Sequence, residues 1–124
     1  MKVVIIGGGI AGITLGILLR KRNFEVVINE RSVGKPVRGP AFLMHSDGLA
    51  VLNELNREVK FTLPGRKINT FSLRRPDGNE IKHVQLQGWQ CIKRVDLIRF
   101  LYSLLPAGII KEGRSFSHFI YENN

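Results

Sequence analysis

Two short apolar runs flank a helical pattern at the start of the chain. Val3–Ile6 is a β-branched run that stops at a glycine, which is typical of a strand buried on both faces. From Ile10 to Arg22 the apolar residues recur near the helical period, and cations occupy the last turn, where they suit the helix dipole. Asn23 is expected to form a left-handed cap, and Phe24–Ile28 returns to a strand pattern. The segment therefore predicts a βαβ unit.

The periodic pattern is interrupted after this unit. The segment Arg31–Met44 holds two prolines and two glycines and is predicted to be a long irregular loop. Ser46 is then expected to cap a short amphipathic helix whose apolar positions include Leu49, Leu52 and Leu55. An α/β fold with an extended excursion is the expectation that follows.

The second half of the chain predicts a hairpin, another helix and a return to the parallel sheet. Ile68–Arg75 and Glu80–Gln87 alternate apolar and polar residues on either side of a Pro-Asp-Gly-Asn turn, so one face of this hairpin is expected to be solvated. The segment Arg94–Leu105 shows leucines on one helical side. Ile109–Ile110 and Phe116–Tyr121 are expected to form a third parallel strand and the start of a further one.

The turn after the first strand has the spacing of a dinucleotide-binding loop. Gly7 would make the tight turn, and Gly9, without a side chain, would let a diphosphate approach the backbone. Gly12 would let the helix lie close to the sheet, so that the diphosphate meets the positive end of the helix dipole. Glu30 ends the second strand, where a carboxylate accepts hydrogen bonds from the ribose hydroxyls. Glu30 disfavours NADP and suits NAD and FAD equally, so both remain open.

Composition narrows the choice of partner only slightly. The chain has 124 residues with 44% hydrophobic content, enough for a single core. Its net charge of +9 permits a phosphate-bearing cofactor, but the cations are dispersed and form no nucleic-acid-binding motif, so no nucleic acid is expected. Five glycines dilute the uncharged segment Val3–Leu19, which predicts neither a signal peptide nor a membrane span. The single cysteine, Cys91, fits a reducing compartment and a cytoplasmic protein.

No set of residues predicts a catalytic centre or a metal site. His45, His83 and His118 are scattered and lack metal-ligand spacing. We therefore assign no catalytic residue and no metal ligand to this chain.

Three stretches carry a resemblance to a known family. They are VVIIGGGIAGITLGILLRKRNFEVVINER, the excursion that ends in the hairpin with its Pro-Asp-Gly turn, and CIKRVDLIRFLYSLL, with an arginine two residues before an acid–leucine pair. On these motifs the chain resembles the class A flavoprotein monooxygenases, the p-hydroxybenzoate hydroxylase-like group within the glutathione-reductase-type FAD fold. Asn23 and Asn29 depart from the family pattern, in which a glycine and an apolar residue are usual.

The resemblance implies a set of cofactor contacts. Gly7, Gly9 and Gly12 would hold the FAD diphosphate with help from the N–H groups near Ile10 and Ala11. Glu30 would bind the adenosine ribose, and Arg31 would lie beside the adenine. The remaining contacts would come from Arg94 at the phosphate–ribitol region, from Arg38 in the long loop, and from the backbone of Phe116 or Ser115 at the adenine.

The resemblance also implies an activity and a domain organisation. Residues 1–124 would be the N-terminal part of an FAD/NAD(P)-binding domain with a Rossmann-like parallel sheet, incomplete in this chain, and 60–90 would be a β-hairpin excursion toward the substrate domain. The full-length enzyme would use NAD(P)H and O2 to oxygenate an aromatic or similar small molecule, while this portion alone would be inactive. An NAD-binding Rossmann module without its own catalysis is the alternative.

Overall fold

A computed structural model describes residues 1–34, 39–55 and 64–120. The chain divides into two compact units, one formed by Met1–Pro36 and Ile98–Asn124 and the other by Val37–Leu97. Among the described residues the elements, in chain order, are β1 (Lys2–Ile6), α1 (Ile10–Arg20), β2 (Glu25–Asn29), β3 (Ala41–Met44), α2 (Ser46–Leu55), β4 (Gly65–Arg74), β5 (Glu80–Lys93), α3 (Arg94–Ser103) and β6 (Ile110–Lys111).

The first unit is built on a parallel sheet of order β1-β2-β6. Strand β2 is central, pairing Val4 of β1 with Val27 and pairing Ile28 with Ile110 of β6. Ile5, Val26 and Ile28 form a buried core cluster. The predicted βαβ unit and its parallel sheet are therefore confirmed.

Helix α1 approaches this sheet closely because it carries Gly16. A Cβ atom at Gly16 would lie 2.8 Å from Cδ1 of Ile28, a separation that real Cβ atoms do not show. The helix ends at Arg20, two residues earlier than the sequence predicts, because the chain then turns through Asn23. Asn23 has a φ of +62° and its N–H donates to the Arg20 carbonyl at 2.9 Å, so the predicted left-handed cap is confirmed.

The second unit contains an antiparallel sheet of order β3-β5-β4. Strand β5 runs to Lys93, beyond the predicted end at Gln87, because its second half pairs with β3 in the register Ala41 to Lys93. The prediction of an irregular loop over Arg31–Met44 is correspondingly wrong for Ala41–Met44. That strand takes its conformation from pairing with a distant segment, which a local pattern of prolines and glycines does not reveal.

The hairpin turn forms as predicted. The N–H of Arg75 donates to the Asn79 carbonyl at 2.8 Å, and the Asp77 carboxylate accepts from the Asn79 N–H at 3.0 Å. Gly78 has a φ of +90°, which suits its position in the turn. The expected division into one wet and one buried face is weaker than predicted, since Phe71 and Leu73 are each 47% exposed.

The C-terminal elements differ from the prediction in their bounds. Helix α3 ends at Ser103 rather than Leu105, and the third parallel strand, expected at Ile109–Ile110, is formed one residue later as β6. The further strand expected at Phe116–Tyr121 is not formed over 116–120, and Tyr121 lies outside the described residues. No described strand pairs with this segment, and a strand cannot persist without a neighbour. None of the helices in the described ranges has the length and hydropathy needed to cross a bilayer.

Candidate functional site

The turn between β1 and α1 is held from two sides by backbone contacts. Gly7 has a φ of +103°, and its N–H donates to the carbonyl of Asn29 at 2.8 Å. A Cβ atom at Gly12 would lie 2.0 Å from the carbonyl oxygen of Gly7, so only glycine fits there. The tight turn at Gly7 and the close approach at Gly12, both predicted from the sequence, are confirmed as backbone features.

The N-terminus of α1 has the features of an anion-binding site. Gly9 is the N-cap residue, makes no side-chain capping hydrogen bond, and would place a Cβ atom in open space. The first turn of the helix, which begins with Ile10 and Ala11, contains no acidic residue. The first N–H groups of a helix lack intrahelical acceptors and stand at the positive end of its dipole. A negatively charged group would therefore be stabilised in front of Gly9.

Glu30 holds two backbone donors. Its Oε2 accepts from the N–H of Gly8 at 2.6 Å, and its Oε1 accepts from the N–H of Ser32 at 2.8 Å. The hydrogen bond from Ser32, followed by that from Gly8, lowers the pKa of Glu30 below its ordinary value, against a smaller opposing effect of burial. The carboxylate is thus kept ionised and oriented.

Gly8 is a site residue that sequence reasoning missed. A Cβ atom there would lie 2.9 Å from Cβ of Glu30, so the approach of the carboxylate depends on this glycine. The run of three consecutive glycines was the available indication, because the dinucleotide-binding spacing accounts for Gly7 and Gly9 and leaves Gly8 unexplained.

A cavity of about 480 Å³ opens beside the glycine turn. It brings together four of the residues predicted to bind a cofactor, which are Gly7, Glu30, Arg31 and Phe116. The other lining residues are Ile6, Asn29, Ser32, Arg114 and Ser115. The cavity therefore combines a carboxylate acceptor with two arginines on one surface of the first unit.

Arg114 and Asn29 are features of this cavity that sequence reasoning did not assign. The backbone N–H of Arg114 donates to the carbonyl of Glu30 at 2.9 Å, which brings its segment to the end of β2. Asn29 Oδ1 is buried and has no hydrogen-bond partner among the described residues. Arg114 lies far from the glycine motif in sequence, so no local spacing could have indicated it.

The loop that follows Glu30 is fastened to the segment after β6. Glu112 accepts from the N–H of Gly34 at 2.9 Å, and the N–H of Gly113 donates to the Ser32 carbonyl at 3.4 Å. Nearby, burial and then the negative charges of Glu112 and Glu30 raise the pKa of Tyr102. These contacts join Ser32 and Gly34 to the segment after β6.

The other two arginines predicted to contact the cofactor are Arg94 and Arg38. Arg94 belongs to the second unit, where it begins α3 and its N–H donates to the Pro40 carbonyl at 3.4 Å. A Cβ atom at Gly39 would lie 2.6 Å from Cδ of Arg94, so Gly39 leaves room for the arginine stem. Arg38 lies outside the described residues.

Comparisons with known proteins identify the fold. Residues 5–34 match the model of the NAD(P)-binding Rossmann-like domain. The solved structure of Klebsiella pneumoniae HpxO, complexed with FAD and uric acid, superposes with a TM-score of 0.72 at 16% identity, covering 91% of this chain and 31% of that one. The chain has the fold of the class A flavoprotein monooxygenases.

The curated relatives of the chain include a monooxygenase and an FAD-dependent hydroxylase. The chain is 30% identical over 125 aligned positions to 3-amino-4-hydroxybenzoate 2-monooxygenase of Streptomyces cremeus, covering 93% of this chain and 32% of the relative. It is 38% identical over 73 positions to the FAD-dependent urate hydroxylase of Mycolicibacterium vanbaalenii, covering 58% of this chain and 18% of the relative. The resemblance to class A flavoprotein monooxygenases is confirmed, and the chain spans at most about a third of the length of these two relatives.

Over residues 1–34, 39–55 and 64–120, the other titratable side chains form no comparable site. His45 packs edge-on against Trp89 with ring centroids 5.1 Å apart, and His83 Nδ1 lies 3.4 Å from Glu80 Oε2 on the exposed hairpin. Within the described ranges no three His, Cys, Asp or Glu side chains form a group that could hold a metal ion. The backbone N–H donors of the glycine turn and the carboxylate of Glu30 are thus the candidate ligand-binding groups of this monooxygenase-like fold.

Proposed function

We propose that the first unit binds the ADP half of FAD. The observation that carries this proposal is the open helix N-terminus at Gly9 together with the ionised carboxylate of Glu30, which lines a cavity with Gly7 of the same turn. The absence of any side chain at Gly9 leaves space for a diphosphate to approach the first N–H groups of α1. The residues present therefore fit this cofactor.

Each predicted residue has a distinct role in the proposal. Gly7, Gly9 and Gly12 shape the turn, and the N–H groups of Ile10 and Ala11 donate to the diphosphate. Glu30 accepts hydrogen bonds from the ribose hydroxyls with the oxygen lone pairs that Gly8 and Ser32 leave free. The contacts proposed for the adenine are Arg31 and the backbone of Ser115 or Phe116, all three of which line the cavity.

The second unit is proposed to serve the rest of the cofactor and the substrate. Arg94 would contact the phosphate–ribitol region, since a guanidinium forms strong, charge-assisted hydrogen bonds with phosphate oxygens. Arg38 would be a further contact of this kind. The hairpin over 60–90 would extend toward a substrate domain of a longer protein.

The whole protein is proposed to be a monooxygenase that uses NAD(P)H and O2. FAD, when bound, supplies the redox chemistry, while the residues of this chain bind and orient it. The substrate would be an aromatic or similar small molecule, in a cytoplasmic enzyme that does not bind nucleic acid. Because the chain spans less than a third of 3-amino-4-hydroxybenzoate 2-monooxygenase, we expect at most weak FAD binding and no substrate turnover from these 124 residues.

An NAD-binding module is the second candidate. The match of residues 5–34 to an NAD(P)-binding model favours it, and Glu30 accepts ribose hydroxyls from NAD as well as from FAD. FAD and NAD share the ADP half, so the two candidates differ in whether the rest of the protein recognises a flavin or a nicotinamide half.

Absorption spectroscopy and thermal unfolding separate these candidates. A purified chain that binds FAD should show flavin bands that disappear on reduction by dithionite, or should gain thermal stability when FAD is added. A colourless chain that is stabilised by NAD and not by FAD would support the second candidate and overturn the first. Stabilisation by neither dinucleotide would contradict both.

A further inference from the structure

The Glu30 carboxylate connects two segments of the first unit that are distant in sequence. One oxygen accepts from the N–H of Gly8 in the glycine turn at 2.6 Å, across a separation of 22 residues. The other oxygen accepts from the N–H of Ser32 at 2.8 Å, in the loop after β2. The carboxylate therefore bridges the turn proposed to hold the diphosphate and the loop proposed to border the adenine.

The glycine turn is shaped around this carboxylate. Gly8 stands between Gly7 and Gly9, and a Cβ atom on it would lie 2.9 Å from Cβ of Glu30. Any other residue at this position would push the turn and Glu30 apart. The hydrogen bond and the missing side chain are two independent observations that tie the path of the turn to Glu30.

We propose that Glu30 is a positioning residue for the diphosphate, in addition to an acceptor for the ribose hydroxyls. By holding the N–H of Gly8, it fixes the backbone between Gly7 and Gly9 and so aims the first N–H groups of α1. A carboxylate offers about four acceptor sites, so the ribose hydroxyls can be accepted without the release of Gly8. This inference rests on the proposed binding of the ADP half of FAD.

Electrostatics makes the inference testable, because charge and positioning have opposite signs. The negative charge of Glu30 repels a diphosphate, so its removal alone would tighten the binding of any anionic ligand. Loss of positioning would weaken the same binding. A ligand without ribose hydroxyls removes the hydroxyl contribution, so that a loss of its affinity on removal of Glu30 indicates positioning and a gain indicates charge repulsion alone.

Calorimetry measures the affinity of the whole chain for ADP and for 2′,3′-dideoxy-ADP, both in the unchanged protein and in the variant Glu30→Ala. We expect the variant to bind ADP about thirtyfold or more weakly and dideoxy-ADP about fivefold more weakly. The hydrogen bond from the N–H of Gly8 to the carboxylate is lost with both ligands, whereas contacts with the ribose hydroxyls are lost with ADP alone. Dideoxy-ADP affinity that is unchanged or higher would overturn the inference.

Glu112→Ala is a matched control. Glu112 is a carboxylate of the same unit that also accepts a backbone N–H from the loop after β2, that of Gly34 at 2.9 Å, but it does not line the cavity. Its removal changes the net charge by the same amount. We expect dideoxy-ADP affinity to stay equal or to rise slightly in this variant.

Glu30→Asp separates reach from charge and protects the test against a misfolded alanine variant. Aspartate keeps the charge but shortens the side chain by one methylene, so the contact with the N–H of Gly8 is lost. We expect a loss of dideoxy-ADP affinity of about fivefold and faster solvent exchange of the Gly8 amide proton. Unchanged affinity and exchange in this variant would contradict the inference.

Failure of the inference is distinguishable from failure of the proposed function. A chain that binds neither ADP nor FAD would overturn the proposed function, and the positioning role with it. A chain that binds ADP, and whose Glu30 variants lose affinity for ADP but keep it for dideoxy-ADP, would overturn the positioning role alone.

Discussion

The turn between β1 and α1 and the turn between β4 and β5 both contain glycine, but their hydrogen bonds are satisfied in opposite ways. The hairpin turn between β4 and β5 satisfies itself, because Arg75 donates to Asn79 and Asp77 accepts from the same residue. The turn between β1 and α1 fixes its backbone through Gly7 and Gly8 but leaves the first N–H groups of α1 without a capping side chain. A turn that only reverses the chain closes its donors, whereas one that is rigid and leaves donors open is suited to a ligand.

The glycines of the two turns also differ in what surrounds them. Gly78 in the hairpin turn has open space at the Cβ position, and only its φ of +90° favours glycine. Gly12 after the first turn has the carbonyl oxygen of Gly7 at 2.0 Å from that position. Substitution of Gly78 should therefore strain only the backbone of the hairpin turn, whereas substitution of Gly12 should displace helix α1.

The largest expected effect is that of Gly12→Ala. The methyl group would overlap the Gly7 carbonyl, so α1 and the turn must separate, and we expect a loss of about 3 kcal/mol or more in the free energy of unfolding. Gly78→Ala is the control, with a loss of about 1–2 kcal/mol from the positive φ alone. Urea unfolding curves measure both, and equal losses would contradict the distinction between the two turns.

Gly9→Ser should change stability and ligand affinity in opposite directions. Gly9 has the extended conformation of an N-cap residue with open space around it, so serine should fit and cap α1, raising the free energy of unfolding by about 0.5 kcal/mol. The same side chain would fill the approach to the helix N-terminus and lower FAD or ADP affinity by about tenfold or more. Calorimetry and thermal unfolding of one sample test both parts, and unchanged affinity would refute the proposed place of the diphosphate.

The sequence predicts the first turn well because its determinants are local. The spacing of Gly7, Gly9 and Gly12 follows from one strand and one helix, and Glu30 follows from the length of a βαβ unit. The cofactor roles of these residues remain predictions. Their backbone geometry, by contrast, is confirmed at Gly7 and Gly12.

The elements that were missed depend on distant partners. Strand β3 exists because Ala41 pairs with Lys93, and nothing in the Pro- and Gly-rich segment around it indicates a strand. Arg114 lines the cavity because its N–H meets the Glu30 carbonyl. Contacts of this kind follow from tertiary structure, which local periodicity does not encode.

The pH dependence of stability offers a smaller test, because each turn region holds a carboxylate with a lowered pKa. The N–H groups of Ser32 and Gly8 lower the pKa of Glu30, and the Ser72 hydroxyl followed by His83 lowers that of Glu80 on the hairpin. A carboxyl whose pKa is lower in the folded state stabilises the fold above its unfolded-state pKa, and this contribution is lost as the pH falls through the folded-state value. Stability should thus decline as the pH drops below the ordinary value of 4.5.

Variants assign this decline to the two regions. Glu30→Gln should flatten the acid side of the stability profile, because one of the two backbone N–H groups then faces an amide NH2 instead of an acceptor and the titrating group is gone. Glu80→Gln should flatten it less, since Glu80 lies on the exposed hairpin, where water competes for its partners. Unfolding measured in steps from pH 6 to about pH 3 compares the two profiles. A larger effect from Glu80 would show that the hairpin turn region, rather than the glycine turn, is the more tightly coupled to its carboxylate.

The smallest expected effect is that of Asp77→Ala in the hairpin turn. Its carboxylate accepts from the exposed N–H of Asn79 at 3.0 Å, so the variant should lose about 0.5–1 kcal/mol of stability, as a solvent-exposed hydrogen bond allows. The N–H of Asn79 would then donate to water and not to a ligand, so the affinity for FAD or ADP should not change. Calorimetry should compare this variant with Gly9→Ser. Asp77→Ala frees an N–H group in the hairpin turn, which should bind no ligand, whereas Gly9→Ser caps N–H groups of α1 and should weaken ligand binding. A change in affinity from Asp77→Ala would mean that the hairpin turn takes part in binding after all.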